Sequence, residues 1–519
     1  MKDRKQQMEW GTRVGVILAV SGSAVGLGNF LRFPGQAAAH GGGAFMIPYV
    51  CALLFLALPI GWAEWAMARY GGTKGFHSGP AILGVIGRGR IARYFGILGV
   101  LIPMVVYMYY VYIEAWCLRY AWEYLIGTIR LTGTIQEQVQ SADKIFGDTT
   151  GTSSNGVLNM SAVFWLIVVA LNIVLVYRGL KGGIEKFCQF ALPAMGVLSM
   201  IVLIRVLTLG TPNPAHPEQN VLNGLGYLWN PDFSKLSDFA TWLAAAGQIF
   251  FSLSVGFGVI LNYASYLKKR DDIALSGFTA SATNELFEVG FGGLITITAA
   301  FVFLGASGVG GGFGLGFQTL PVVFQQMGAA GRWIGFAWFF LLFLAAITSS
   351  ISMLQPAKAF FEEALGISSG KAIAYVSIIC AFGSLWVIWF SKNTVALDTM
   401  DFWVGSFCIF VLATVQIICF GWVWGLRNGA AELDQGALIK IPRFFLFVMK
   451  YIAPAYLLVV LVGYAAQNLG PALKRTTGDP VGLWTLVIIV AVIGLLVGIL
   501  FIGERRWRGA GLDIDGRRR

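Results

Sequence analysis

The chain has 519 residues, of which 57% are hydrophobic and only 12% are charged. Soluble domains carry about 25% charged residues, so this composition excludes an ordinary soluble protein and indicates a membrane protein. The net charge of +11 does not indicate a nucleic-acid partner, because the basic residues are concentrated in alternate loops, as membrane topology requires.

Long apolar runs recur along the sequence, each of about 18 or more residues and able to cross the hydrocarbon of a bilayer. They predict an all-α integral membrane protein with twelve transmembrane helices, numbered here as spans 1 to 12. No nucleophile–base arrangement or metal-ligand spacing accompanies them, so we do not expect an enzyme. The predicted spans are 13–38, 43–70, 91–125, 160–178, 184–207, 238–266, 273–304, 334–366, 370–392, 396–425, 445–468 and 480–503.

The distribution of Lys and Arg predicts the orientation of the chain. These residues concentrate at the amino terminus, in the loops at 69–93, 178–186 and 427–450, and after span 12. Because cytoplasmic loops carry the basic excess, we expect both termini in the cytoplasm, which agrees with an even number of crossings. The short tails and the absence of a cysteine pair in the outer loops favour a prokaryotic inner membrane.

Spans 1 and 6 each contain a glycine-interrupted stretch of nearly the same sequence. The first is SAVGLG, from Ser23 to Gly28, and the second is LSVGFG, from Leu253 to Gly258. A glycine within a helix costs about 1 kcal/mol relative to alanine. A broken helix is tolerated in hydrocarbon only where its freed N–H and C=O groups line a protected cavity. Two matching breaks in two halves of a chain predict a midplane binding site between inverted repeats, which is typical of a transporter.

The predicted spans and the tail group into four parts. Residues 1–207 hold spans 1 to 5, and 238–425 hold spans 6 to 10 as an inverted second half. Residues 445–503 form spans 11 and 12, and 504–519 form a basic cytoplasmic tail. An outer connection is rich in glycine from Gly308 to Gly316, which fits either a lid or re-entrant element or a flexible surface loop.

These stretches resemble the neurotransmitter:sodium symporter family. The resemblance begins at Gly22–Pro34 (GSAVGLGNFLRFP) and Gly41–Phe45, and it covers nearly the whole chain. It continues at Tyr109–Glu114, Gly247–Phe251, Asn284–Glu285, Thr348–Ile351 and Met400–Trp403. It implies a LeuT-like 5+5 inverted repeat with broken helices 1 and 6. It also implies a sodium-coupled symporter of hydrophobic or neutral amino acids that works by alternating access.

The resemblance implies two bound Na⁺ ions. Na⁺ is a hard cation and prefers oxygen ligands. The first site is expected at Ala24, Asn29, Ser252, Asn284 and the carboxylate of the substrate. The second is expected at the carbonyls of Gly22, Val25 and Ala345 and the hydroxyls of Thr348 and Ser349. The alternative for these hydroxyls is a hydrogen bond back into their own helix, which is common.

The substrate is expected beside the first break. The half-helix that begins near Leu27 and Gly28 exposes N–H groups suited to a carboxylate, and Tyr110 matches the family's carboxylate-binding tyrosine. Gly26 stands where monoamine-transporting relatives have an aspartate, so an amino acid is favoured. The ammonium is expected at Ala24, Phe251, Ser252 and Ser254. The apolar side-chain pocket is expected at Val106, Phe251, Phe257, Ser350 and Met353.

Charged residues near the ends of the spans predict two gates. Arg32 and Asp401 are expected to form the outer gate, and the alternative is an interfacial pair without a gating role. The inner gate departs from the family pattern, and its expected members are Lys5, Trp10, Tyr266 and Glu363.

Glu288 occupies the position at which chloride-dependent relatives carry a neutral serine. A fixed negative charge there would substitute for chloride, so we expect chloride-independent transport. Two other functions stay open, a proton-coupled amino-acid permease on the same fold and a sensor that binds an amino acid without moving it. The expected partners are the amino acid and the lipid bilayer, and the sequence leaves open whether the chain forms a homodimer.

Overall fold

The computed structural model describes residues 10–153, 160–212, 214–309 and 312–517. Within these ranges the chain is built of helices, and the only extended pairing is an isolated bridge between Gly42 and Pro231. Ten helices in these ranges are long and apolar enough to cross a membrane. They are Met46–Thr73, Arg90–Ile126, Met160–Tyr177, Leu180–Leu207, Ile273–Leu304, Gly328–Leu365, Ser369–Trp389, Lys392–Asp434, Arg443–Gly478 and Pro480–Gly509.

The predicted first and sixth spans each consist of two shorter helices. Arg13–Ala24 and Gly28–Ala39 meet at an angle of 45° and, counted together, give an eleventh candidate span in the described ranges. The sixth consists of Phe239–Leu253 and Val259–Ala264. Its longer piece has 15 residues and is too short to cross alone. Ten or eleven crossings are therefore supported by length and composition, and the total of twelve stays a prediction.

Left-handed backbone separates the two helices of span 6. Ser254, Gly256 and Gly258 have φ values of 53°, 70° and 96°. A Cβ atom built at Gly258 would lie 2.2 Å from the carbonyl oxygen of Gly99 in span 3. Only glycine combines this φ with such a close approach, so the break in span 6 is packed directly against the backbone of span 3.

The centre of the bundle is formed by spans 3 and 8. Both helices are buried along nearly all of their apolar length, whereas spans 4, 5, 11 and 12 expose about two thirds of theirs. Exposed apolar side chains such as Phe190, Phe382 and Val490 lie on the outer helices, where lipid would cover them. The two interrupted helices pack against this central pair, which places their breaks inside the protein.

Helices also form the outer connections. The described part of the glycine-rich segment continues as Gly312–Gly314, Leu315–Thr319 and Leu320–Gln326. Phe317 is fully buried against Trp116, Tyr120 and Phe339. This packing holds the segment just after Gly316 against spans 3 and 8, and the lid, re-entrant and surface-loop interpretations of the glycine-rich stretch all stay predictions. The other helices outside the spans include Ile135–Thr150, Val221–Trp229 and Phe233–Ser237.

A carboxylate fastens the start of the first helix. Glu185 accepts hydrogen bonds from the N–H groups of Gly11 at 2.7 Å and Thr12 at 3.1 Å, and from the Thr12 hydroxyl at 2.8 Å. Thr12 also caps the helix, because its hydroxyl accepts from the N–H of Gly15 at 2.9 Å. We call this arrangement the amino-terminal fastening.

The end of the chain is also packed against the bundle. The last span continues as a helix to Gly509, within the predicted tail. Arg93 is fully buried and donates to Glu504 at 2.6 Å, to the carbonyl of Ile514 at 2.7 Å, and to Asp515. The acidic residues of a mostly basic tail therefore neutralise a buried cation, as a desolvated charge requires.

Candidate functional site

The break in span 1 brings backbone N–H groups to a buried tyrosine. The N–H of Leu27 donates to Oη of Tyr110 at 3.1 Å. A Cβ atom at Gly26 would lie 2.9 Å from both this Oη and the hydroxyl oxygen of Ser349. Gly26 therefore lets Tyr110 and Ser349 approach the backbone of the break, because any side chain at this position would crowd both hydroxyl groups.

A buried polar cluster lies behind this break. Asn29 donates to the side-chain oxygen of Asn284 at 2.8 Å, and Asn284 donates to the Ser252 hydroxyl at 2.8 Å. Glu288 accepts from Asn29 at 3.3 Å, from Asn284 at 3.1 Å and from Gln248 at 2.7 Å, and it also contacts Ser252. All five side chains are essentially unexposed. Three of the four residues expected for the first sodium site are therefore in mutual contact around one carboxylate.

A second group of oxygen atoms joins span 8 to the end of the first helix. The Ser349 hydroxyl lies 3.4 Å from the carbonyl of Gly22, 3.2 Å from that of Ser23 and 3.1 Å from that of Ala345. The Thr348 hydroxyl lies 3.1 Å from the Ala345 carbonyl. Thr348 bonds within its own helix, whereas Ser349 also reaches the broken helix. Val25, also expected here, immediately follows the last turn of that helix.

The expected side-chain pocket is only partly assembled from its predicted members. Val106, Phe257 and Met353 are buried apolar side chains of the central core. Ser350 is fully buried and donates to the side-chain oxygen of Asn172 in span 4 at 2.7 Å. The Ser350 hydroxyl therefore bonds to span 4 in this structure, and its place in the substrate pocket stays a prediction.

A cavity of about 170 Å³ extends outward from the break. It is lined by Leu27, Gly28, Tyr110 and Phe251 of the expected substrate site and by both expected outer-gate residues. Ser254 lies deeper and donates to the Ser23 carbonyl at 3.2 Å, next to Ala24, the last residue of the first helix.

The two outer-gate residues face this cavity without pairing directly. The guanidinium of Arg32 lies 4.7 Å from the centre of the Phe251 ring, and Asp401 accepts a hydrogen bond from Tyr109 at 2.7 Å. No ion pair within 4 Å joins Arg32 to Asp401, both of which are among the described residues. Phe251 and the two charged residues therefore line the same cavity, and their role as an outer gate stays a prediction.

The expected inner gate is brought together only in part. Tyr266 stacks on His77 with ring centres 4.2 Å apart, and Glu363 accepts from the backbone N–H of Ser78 at 3.0 Å. Trp10 instead donates to the carbonyl of Tyr263 at 3.0 Å. Lys5 lies outside the described residues.

Sequence reasoning missed two contacts around the site. No sequence pattern predicted that Glu185 would bind Gly11 and Thr12, because a glutamate in a basic loop is usually expected to be solvated. The side chain of Asn172 bridges Ser350 to the buried carboxylate of Glu114, with N–O distances of 3.1 and 3.2 Å to the two carboxylate oxygens. An asparagine in the middle of an apolar span was the available signal for this network.

Comparison with known proteins agrees with this architecture. The sequence profile of the sodium:neurotransmitter symporter family matches residues 7–133 and 127–502. The chain is similar to MhsT, solved in complex with L-phenylalanine, with a TM-score of 0.76 and 26% identity. The match covers 88% of this chain and 99% of MhsT.

Sequence relatives are also transporters. An uncharacterised sodium-dependent transporter of Methanocaldococcus jannaschii is 28% identical over 88% of this chain and 90% of its own length. The sodium-dependent nutrient amino acid transporter 1 of Drosophila pseudoobscura is 22% identical over 91% of this chain and 76% of its own length.

Interrupted membrane helices around a buried polar cluster are the architecture of many membrane transporters. This chain belongs to the sodium:neurotransmitter symporter family. Its LeuT-like fold and its membership of a family of sodium-dependent transporters confirm those two expectations from the sequence.

Proposed function

We propose that the protein is a symporter that couples the inward movement of one neutral, mainly apolar amino acid to two Na⁺ ions by alternating access. Spans 1 to 5 and 6 to 10 form inverted repeats, and both termini lie in the cytoplasm of a prokaryotic cell. Each Na⁺ that enters down a potential of 100 mV contributes about 2.3 kcal/mol before its concentration gradient is counted.

The observation that carries this proposal is the position of Gly26 between two hydroxyl groups. Tyr110 Oη and Ser349 Oγ both lie 2.9 Å from the place where its Cβ would stand. Tyr110 Oη accepts from the Leu27 N–H, beside the position proposed for the substrate carboxylate. Ser349 Oγ lies among the carbonyl oxygen atoms proposed to bind Na⁺. An anionic group and a cation bound this close together stabilise each other, which is the coupling that symport requires.

The proposed substrate class follows from what surrounds the carboxylate position. Gly26 supplies no counter-charge for an isolated amine, and Val106, Phe257 and Met353 supply apolar surface. The sodium-dependent nutrient amino acid transporters and the phenylalanine bound to MhsT support a neutral amino acid.

The direct test is uptake into proteoliposomes with and without a sodium gradient. We expect labelled leucine, methionine, alanine or phenylalanine to accumulate when external Na⁺ exceeds internal Na⁺. Accumulation should disappear when choline replaces Na⁺, because the site would then lack its cation. Accumulation driven equally well by a proton gradient in choline would indicate a proton-coupled permease. Sodium-dependent binding without accumulation would indicate a sensor.

Replacing Thr348 with alanine tests the second sodium site. The variant removes one oxygen next to Ala345 and leaves the helix intact, so the half-saturating Na⁺ concentration should rise about ten-fold. Ser352→Ala is the matched control, because Ser352 bonds to the Thr348 carbonyl at 2.8 Å and to Tyr263, outside the proposed ligand set. Equal sodium dependence in both variants would contradict the assignment.

A further inference from the structure

A second cavity, of about 230 Å³, lies on the cytoplasmic side of the broken helices. Its position follows from its lining, which combines the residues just after span 2, the end of span 6, the last turns of span 8 and the final helix. The lining residues used below are His77, Tyr266, Lys358, Glu362, Glu363 and Arg506. None of the six has a place in the proposed central site, although Tyr266 and Glu363 were expected at the inner gate.

Lys358 is the unusual member of this lining. It lies in span 8, nine residues after Ser349, or about 14 Å along the helix axis. Its side chain is only 5% exposed, and its ammonium forms one ion pair, with Glu362 at 3.9 Å. A buried ammonium has three donors, and among the described residues this one makes no hydrogen bond. An ionisable group so poorly satisfied within a membrane helix is costly and usually functional.

The opposite charge is also incompletely satisfied in the same cavity. Oε1 of Glu362 and Oε1 of Glu363 are both buried and accept no hydrogen bond within the described parts of the chain. The other oxygen of Glu363 accepts from the N–H groups of His77 and Ser78. Glu362 lies one turn after Lys358 on the same face of span 8, and Glu363 is turned about 100° from Glu362, toward the backbone of His77 and Ser78.

The remaining lining residues complete a site with two signs of charge. Burial lowers the pKa of His77 to about 4, so its imidazole is neutral at neutral pH, and it stacks flat on Tyr266. Arg506 brings a second cation against Gly366, at the end of span 8. The cavity therefore presents two cations and two carboxyl groups around an uncharged aromatic wall.

We propose that this cavity is a cytoplasmic subsite that holds the transported amino acid as a zwitterion after it leaves the central site. The substrate carboxylate binds Lys358 and Arg506, and the ammonium binds Glu363 and also Glu362, where it replaces the ion pair with Lys358. This inference rests on the proposed function, and it adds a binding step between the central site and the cytoplasm. A ligand with a single charge would satisfy only half of the lining, so the arrangement selects a zwitterion.

The test compares substrate binding from the two sides of oriented proteoliposomes, with labelled L-leucine as the probe. If leucine is not transported, methionine, alanine or phenylalanine replaces it. In Lys358→Met, the internal concentration that half-saturates efflux should rise about ten-fold, because one charge-assisted contact is lost. The external half-saturating concentration and sodium-dependent binding at the central site should stay unchanged. Lys358→Arg should restore the internal value, because arginine also binds carboxylates.

Lys371→Met is the matched control, because Lys371 is an exposed lysine at the start of the next helix and does not line the cavity. If Lys358→Met does not fold, Glu362→Gln should raise the internal half-saturating concentration instead, because it weakens the contact with the substrate ammonium. An unchanged internal value in Lys358→Met, or equal changes on both sides, would overturn the subsite while leaving symport intact. Absence of sodium-driven uptake in the unmodified protein would instead refute the proposed function, and the subsite with it.

Discussion

Replacing Tyr110 with phenylalanine should weaken sodium-dependent binding of the amino acid about ten- to hundred-fold. The substitution removes a single oxygen, the one that lies 3.1 Å from the Leu27 N–H at the break in span 1. Hydrogen bonds to charged groups contribute about 1.5–3 kcal/mol, which corresponds to this loss of affinity. Equilibrium binding of labelled substrate to the purified protein at saturating Na⁺ measures the effect.

Tyr112→Phe is the control for this prediction. The Tyr112 hydroxyl lies in the same helix but donates to the carbonyl of Thr150 at 3.0 Å, away from the break. Removing this hydroxyl also removes one hydrogen bond from span 3, but the substrate affinity should stay within about two-fold of the unmodified value. Equal losses in the two variants would show that Tyr110 acts through the stability of span 3 and not through the substrate.

Glu288→Ser should convert transport that is indifferent to chloride into transport that requires it. The carboxylate is fully buried and accepts hydrogen bonds from four side chains, so its removal leaves four donors facing an empty anion position. These donors are Gln248, Asn284, Asn29 and Ser252. Chloride accepts hydrogen bonds from the same groups and restores the charge balance beside the first sodium site. Uptake by the variant should fall at least about ten-fold in gluconate and recover when chloride is added.

The neighbouring carboxylate supplies the control for chloride. Glu285 lies one turn earlier and accepts from the Tyr49 hydroxyl at 2.8 Å. Glu285→Gln keeps a polar side chain there and leaves Glu288 in place, so its uptake should remain indifferent to chloride. Uptake by Glu288→Ser that does not respond to chloride would show that the charge of Glu288 has another purpose.

The membrane helices were largely predictable because crossing a bilayer requires a continuous apolar run. The predicted spans 160–178 and 273–304 correspond to Met160–Tyr177 and Ile273–Leu304 in the structure. The interruptions also had a local signal, since the glycine-containing stretches coincide with the ends of the helices at Ala24 and Leu253. Both features depend on residues close in sequence.

The directions of individual side chains were not predictable in this way. Thr348, Ser349 and Ser350 are consecutive hydroxyl residues, and successive positions on a helix point about 100° apart. Which one faces the break depends on Asn172, which lies 178 residues from Ser350 in the sequence. The family resemblance aligned these three residues with expected roles. The hydrogen bond from Ser350 to Asn172 became visible only in the packed structure.

The contacts of the expected inner-gate residues were not predictable for a related reason. These residues were chosen by their offset from Trp10 and by the acid at the end of span 8. The structure engages Trp10 with Tyr263, whereas Glu363 is held by the backbone after span 2. The mixed-charge cavity around Lys358 was likewise not predictable, because its lining comes from five separate segments of the chain.

The amino-terminal fastening ties the accessibility of the cytoplasmic route to the integrity of one helix end. Because Thr12 binds Glu185 and caps the following helix with the same hydroxyl, separating the two also frays the first turn. In the proposed alternating-access cycle, a loss of about 1.4 kcal/mol from these contacts would raise the fraction of molecules with a detached first helix about ten-fold.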